Sequence, residues 1–396
     1  MTRRRSMFVL LSLVLVFGLV GTVPEATAQA SKPILIGAPV HLTGFMATYD
    51  VPPLEGARLA VKQINEAGGV MGRQLQLIEA DGKSDPATLS TAAREVIQQG
   101  AEVLVTPCDF ELGAPAGQVA QEAGLVGISF CASSPLYGSE ELGDKQFTLS
   151  MWNQTMAAAA AEFAYTDKGW KTAATIVDQV GEYSKSLGEF FAETFTHLGG
   201  KVISEDTYLY NDMQATAQAQ RIKDLDPQPD VIFIASSMPD YAAIIRDVRA
   251  AGVTAPIMGG DSMDTADFYT ALGPGLGHDI FISTHSFIGP EAGPAMEQFI
   301  ADFHAEYGRD PESAFNAMGW DTIQVIAQGI AKAGTTDGAA LAKALEGTEF
   351  DLRSGKLVWS DAASGHFPDK EAFIVEVKDG KPTFVKRTKP SWTPEV

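Results

Sequence analysis

Apolar and polar positions along this chain follow one repeating figure: a short apolar run, a polar loop, a helix-length amphipathic segment, then another short apolar run. The stretch 103–134 shows it most plainly. VLVT runs into PCDFELG, a helical APAGQVAQEAG follows, and LVGIS runs into FCASSP. Two short apolar runs separated by a helix-length segment predict a βαβ unit with parallel strands. In open sheets of such units, ligands sit beyond the carboxyl ends of the strands, where strand order reverses. Those ends carry Cys108, Asp109 and Phe110 on one strand and Cys131, Ala132, Ser133 and Ser134 on the next. The rim is polar and partly aromatic, with no evident catalytic machinery.

Before this unit the same figure predicts strands at 32–38 and 74–80. A loop over 39–50 leads to a helix at 53–67, with Leu54, Ala57, Val61 and Ile64 on one face and Gly68-Gly69 as its stop. Ser84-Asp85-Pro86 places a capping side chain before Pro in the first turn, so a second helix is expected from there to residue 99. After an alanine-rich helix at 155–165 the rhythm restarts, with strands at 173–177, 201–208, 231–235, 256–259 and 279–284 and helices between them. The tail departs from it. Long helices at 291–307 and 314–333 and a shorter one at 339–346 precede strands at 356–359, 372–377 and 383–386, with Asp379-Gly380 as a hairpin turn. The fold class expected is α/β, with two Rossmann-like lobes of parallel strands flanked by helices and a multi-strand hinge. Crossings fall near Ser150, Thr284 and Ser360, which gives lobe one as 32–150 plus 285–358 and lobe two as 151–284 plus 359–396. A (β/α)₈ barrel is the rival architecture.

The first residues are not part of that fold. Arg3, Arg4 and Arg5 precede an almost wholly apolar 7–20, and Ala26-Thr27-Ala28 is a small-x-small cleavage site. Residues 1–28 therefore read as a secretory signal peptide, by the general or the twin-arginine route, and the apolar run is short for a membrane span. Its removal takes away three Arg and one Glu, a net +2, so a full-chain charge of −21 becomes −23. That acidity disfavours nucleic acid and anionic membranes as partners, because both need Lys/Arg patches. The two cysteines, Cys108 and Cys131, lie in an exported chain at the ends of consecutive strands. If those strands are neighbours, a disulfide is within reach, with two buried free thiols as the alternative.

The blocks just described resemble the periplasmic solute-binding proteins of ABC importers, of the branched-chain amino acid and amide type. The match opens with IGAPVHLTGFMATYDVPPLEGARLAVKQINEAGGVMGRQLQLIEADGKSDP and continues through GAEVLVTP, AGLVGIS, PDVIFIAS and AGVTAPIMGG. It implies a type I periplasmic-binding fold whose two lobes close on a ligand. It also implies roles for single residues. Tyr49 would cover the ligand. Asp109 stands where amino-acid binders place a serine hydroxyl on the ligand carboxylate, with Phe110 beside it as a further ligand-binding position. Ala132 and Ser133 would hold ligand amino and carboxylate groups, Tyr183 would be a cleft tyrosine, and Asp261 would take an ammonium. Phe315 would line the side-chain pocket, and Met238 replaces a tyrosine found in some members.

Asp109 departs most from the family pattern. Beside a ligand carboxylate it would repel by about 4 kcal/mol at 4 Å and an effective dielectric near 20. Facing the cleft, it favours a cationic, amide-like or hydroxyl-rich ligand; alternatively it turns aside to cap the following helix. The six histidines show no metal-ligand spacing, and neither a nucleophile elbow, a Walker loop nor a dinucleotide fingerprint appears in a suitable context. No cofactor or metal is expected, and the chain is not read as an enzyme. The expected function is capture of a small amino-acid-like, amide, amine or aromatic solute by a periplasmic monomer that serves an ABC permease and its ATPase. A sensor component of the same fold is the alternative; an exported hydrolase using Asp109 and Asp261 as acid and base is the remaining one.

Overall fold

The computed structural model describes residues 32–273 and 275–396, so the expected leader lies outside the described residues. Five strands build the first sheet: β1 (Ile34–Val40), β2 (Leu75–Asp81), β3 (Val103–Thr106), β4 (Gly127–Ser129) and β5 (Gln146–Thr148). They are parallel throughout, in the order β2-β1-β3-β4-β5. All four residues of β3 are buried, which is why a strand covered on both faces reads as an unbroken apolar run. The chain then forms β6 (Thr172–Asp178), β7 (Lys201–Tyr208), β8 (Val231–Ala235), β9 (Ile257–Gly259) and β10 (Ile280–Thr284). A small antiparallel sheet follows, made of β11 (Phe350–Leu352), β12 (Gly355–Trp359) and β13 (Pro368–Asp369). Finally β14 (Ala372–Lys378) and β15 (Lys381–Thr388) return to the second sheet as its antiparallel edge, in the order β15-β14-β10-β9-β8-β6-β7. Two open, doubly wound sheets replace the barrel alternative.

Several predicted boundaries hold for local reasons. Asp85 accepts from the Thr88 N–H at 2.7 Å and Pro86 opens the helix Pro86–Gln98. Asp379 and Gly380 both have positive φ, 52° and 74°, as a two-residue turn between β14 and β15 requires. One expectation needs correction. The first helix spans Ala47–Glu66 and starts well before the prolines taken as its beginning. Its first turn is anchored from outside, because the Asp50 carboxylate accepts the His41 and Cys108 N–H groups, each at 2.8 Å. That anchorage offsets the backbone bonds that Pro52 and Pro53 cannot donate. β12 pairs with β13 through Val358 and Asp369, so the chain leaves the small sheet only at Lys370. That sheet belongs beside β5, where Trp359 Nε1 donates to the Thr148 carbonyl at 2.8 Å and the Phe147 and Trp359 rings meet edge to face.

The helices Ala47–Glu66 and Ala314–Ala333 touch backbone to backbone. A Cβ on Gly56 would lie 1.8 Å from the Asn316 carbonyl oxygen, and one on Gly319 would lie 1.7 Å from that of Pro53. Only glycine fits there. This close approach sets Tyr49 and Phe315 against each other, edge to face at 6.0 Å between ring centres.

Candidate functional site

Both sheets reverse strand order beside one cavity. In the first sheet the switch lies between β1 and β3, and in the second between β6 and β8. The cavity contains about 410 Å³ of non-atom space, part of it open to solvent. The first sheet contributes Met46 and Tyr49 after β1, Cys108, Asp109 and Phe110 after β3, and Cys131, Ser133 and Ser134 after β4. The second contributes Tyr183 after β6, Ser237 after β8, and Asp261 and Ser262 after β9, while Phe315 comes from the first turn of Ala314–Ala333.

A disulfide joins Cys108 to Cys131, with 4.6 Å between their Cα atoms. β3 and β4 are neighbours, so the bridge ties together the loops that bear Asp109 and Ser133. Asp109 lines the cavity and does not cap the helix Ala114–Glu122, whose N-cap is Gly113. Its Oδ1 accepts from the Leu112 N–H at 3.0 Å, in the turn before that helix. The backbone there is left-handed, φ 82°, a conformation in which Asp is tolerated better than most residues. Burial, and then the nearby Glu111 carboxylate, push the Asp109 carboxyl up to about 7. Behind it, burial pushes Asp50 up to about 8.

Across the cavity the Asp261 carboxylate is fully engaged. Tyr183 Oη donates to Oδ1 at 2.8 Å, and the buried His285 Nε2 lies 2.7 Å from Oδ2. Ser262 Oγ in turn donates to Tyr183 Oη at 2.9 Å and lies 2.9 Å from the Ser236 carbonyl. Burial, followed by the adjacent Asp261 charge, holds the Tyr183 phenol well above its ordinary range, so it remains a donor. Tyr49 spans the two sets of loops: its hydroxyl accepts from the Met238 N–H at 2.8 Å and donates to the Ser262 carbonyl at 3.2 Å. Three further contacts cross the same gap. Thr48 Oγ1 donates to Asp267 at 2.7 Å, the Glu182 N–H donates to Glu111 at 2.7 Å, and the Phe45 and Tyr210 rings lie 5.9 Å apart.

Of the residues singled out from sequence, Tyr49, Asp109, Phe110, Ser133, Tyr183, Asp261 and Phe315 meet at this cavity. Ala132 and Met238 stand outside its wall. The Ala132 carbonyl accepts from Thr148 Oγ1 at 2.7 Å, and Met238 acts through its backbone, its N–H on Tyr49 and its carbonyl accepting from Tyr210 Oη at 2.6 Å. Ser134, placed on the strand-end rim from sequence, also lines the cavity, and Met46, Ser237 and Ser262 are cavity residues that sequence reasoning missed. The one available signal was position, since Ser262 directly follows a residue already singled out. Among the described residues, no three His, Cys, Asp or Glu side chains are placed to hold a metal ion.

Comparison with known proteins agrees with this layout. The family model described as periplasmic binding protein matches residues 33–382. A Leu/Ile/Val-binding protein of Rhizobium johnstonii is 27% identical over 335 residues, 84% of this chain and 89% of the relative. A leucine-, isoleucine-, valine-, threonine- and alanine-binding protein of Pseudomonas aeruginosa is 26% identical, covering 83% of this chain and 86% of its own. Among solved structures, the branched-chain amino acid transporter substrate-binding protein of Streptococcus pneumoniae, solved with isoleucine, superposes with a TM-score of 0.82 at 22% identity, covering 90% of this chain and 100% of the other. An ABC-transporter solute-binding protein of R. palustris, solved with benzoate, gives 0.78 at 23% identity, covering 92% of this chain and 98% of the other. With its two doubly wound sheets and a cavity walled by loops from both, the chain belongs to the periplasmic binding protein family.

Proposed function

We propose that this protein is an extracytoplasmic solute-binding component of an ABC importer. It captures a small amino-acid-like, amide, amine or aromatic solute between lobes built on its two sheets and presents it, as a periplasmic monomer, to a permease and its ATPase. One observation above all supports this reading: the cavity draws its wall from the carboxyl ends of both sheets, and Tyr49 hydrogen-bonds across the gap. A solute held there touches both lobes only when they are together, so binding shifts the population towards the closed form. The relatives' ligands, branched-chain amino acids and benzoate among them, belong to the class of small solute proposed here. An acid/base hydrolase draws no support from the arrangement, because Asp261 has both oxygens committed to Tyr183 and His285.

Thermal-shift screening against amino acids, amides, amines and aromatic acids tests the proposal. A true ligand at a thousand times its Kd stabilises by about 4 kcal/mol, an unmistakable rise in Tm, and contracts the molecule in small-angle scattering. A panel of this breadth with no stabilising compound would refute the reading.

A further inference from the structure

We propose that the cavity selects solutes bearing a positive charge and no free carboxylate, small organic ammonium compounds with an apolar body, and that Asp109 sets this choice. The inference rests on the solute-binding reading above and narrows it. Its basis is the charge inventory of the wall. Asp109 from the first sheet and Asp261 from the second both line the cavity, and no Lys, Arg or His lines it. A ligand carboxylate entering the space would meet serine hydroxyls but no cationic side chain.

The two acids differ in how they are compensated. Asp261 is held by the Tyr183 hydroxyl and by His285 behind it. Asp109 has the Leu112 N–H on one oxygen and the Phe110 N–H nearby, and the titratable groups that act on it are themselves acids: Glu111 on the same loop, with which it shares a side-chain hydrogen bond, and Asp50 behind it. It also cannot readily swing away. Its left-handed backbone and the Leu112 bond fix its direction, and the Cys108–Cys131 bridge fixes the loop. The upward push on its carboxyl, by burial first and then by Glu111, is the mark of an acid set among acids without a counter-charge. An ammonium group on the solute supplies that counter-charge. The remaining wall suits the rest of such a molecule: Tyr49, Phe110, Tyr183 and Phe315 offer apolar area and ring faces to a cation.

Four probes sharing one branched body separate the possibilities: isopentylamine, L-leucinamide, L-leucine and isocaproate, titrated calorimetrically at neutral pH into the wild type and Asp109→Asn. The expected ranking places the amine and the amide at least about tenfold tighter than leucine, a gap of about 1.4 kcal/mol, with isocaproate weakest. Asp109→Asn, whose side chain still accepts from Leu112 and tolerates the same backbone, should shrink that gap to about threefold or less, a change of about 0.7 kcal/mol. Leucine or isocaproate binding as tightly as the amine overturns the inference, as does an unchanged ratio in a folded Asp109→Asn protein. If the variant does not fold, the wild-type ranking alone decides. Failure of all four probes also overturns the charge assignment, whereas the solute-binding reading stands or falls by the wider thermal-shift panel.

Discussion

Lys370 occupies the last passage between the small sheet and the second sheet, and it is only 2% exposed. Its Nζ donates to the Leu149 carbonyl at 3.2 Å and to Ser354 Oγ at 2.9 Å, so it ties this passage to the segment after β5 and to the turn between β11 and β12. Asp321, buried in the helix Ala314–Ala333, accepts from the Arg353 and Ser354 N–H groups at 2.8 and 2.9 Å and attracts the ammonium. Burial lowers the lysine from its ordinary 10.5 to about 8, with Asp321 pulling the other way. At about 1.4 kcal/mol per pH unit, the charged form bears a penalty of about 3 kcal/mol relative to the unfolded chain. Replacing Lys370 with Met removes the charge and keeps an apolar stem. It leaves Asp321 buried without a cation, a change that costs about 3 kcal/mol or more. Removing both charges, in Lys370→Met with Asp321→Asn, should recover most of that loss.

Urea denaturation of the wild type, both single variants and the double variant at pH 7 measures the coupling directly. The pH dependence gives a second, independent readout. Between pH 8 and 10.5 the native lysine has lost a proton that the unfolded chain retains, so wild-type stability rises with pH across this window. Lys370→Met lacks that contribution, and the difference between wild type and variant should grow by about 3 kcal/mol from pH 8 towards 10.5. A coupling within about 0.5 kcal/mol of zero, or a flat difference across the window, would show that this buried pair does not brace the passage.

The Tyr49 hydroxyl bridges the two sets of loops, so Tyr49→Phe should weaken solute binding by about tenfold or more while leaving the melting of the free protein nearly unchanged; equal losses in both would sink the bridging role. Gly319→Ala places a methyl group against the Pro53 carbonyl with backbone on both sides, and a loss of about 3 kcal/mol or more in urea denaturation is expected. Reduction of Cys108–Cys131, which span 23 positions, should cost about 3 kcal/mol, read as the shift in urea midpoint with and without reductant, and denatured unreduced protein should show no titratable thiol.

What could be read from the sequence is what local physics determines. The cap at Asp85, the turn at Asp379-Gly380 and the buried run of β3 each arise from a few adjacent residues, and each falls where expected. The start of the first helix did not, because it depends on Asp50 bonding to His41 and Cys108, the latter 58 positions away. β5 and β13, of three and two residues, are too short to carry a period. The same division runs through the site. Residues just beyond parallel strands were legible because ligands gather there. Side-chain direction was not: Met238 stands outside the cavity wall and offers its backbone N–H to Tyr49, whereas Ser237, one residue earlier, lines the wall.

That difference matters for how closure is controlled. Tyr49, Thr48 and Glu111 make direct bonds across the gap that no solute mediates, so part of the closing free energy belongs to the protein itself. Alone, such contacts would favour closure whether or not the cavity is filled, and a binding protein that closes empty gains little from its ligand. Asp109 opposes them. The Glu111 carboxylate accepts from the Glu182 N–H at the first turn of the helix Glu182–His197, and Asp109 lies beside it in a wall without a basic residue. The aromatic and hydroxyl contacts favour the closed form and the crowded carboxylates disfavour it. A cationic solute relieves the second without disturbing the first, which makes closure conditional on the solute. On the proposed reading, the residue that departs most from the family pattern acts in energetics as well as in recognition, disfavouring the closed state until a counter-charge is bound.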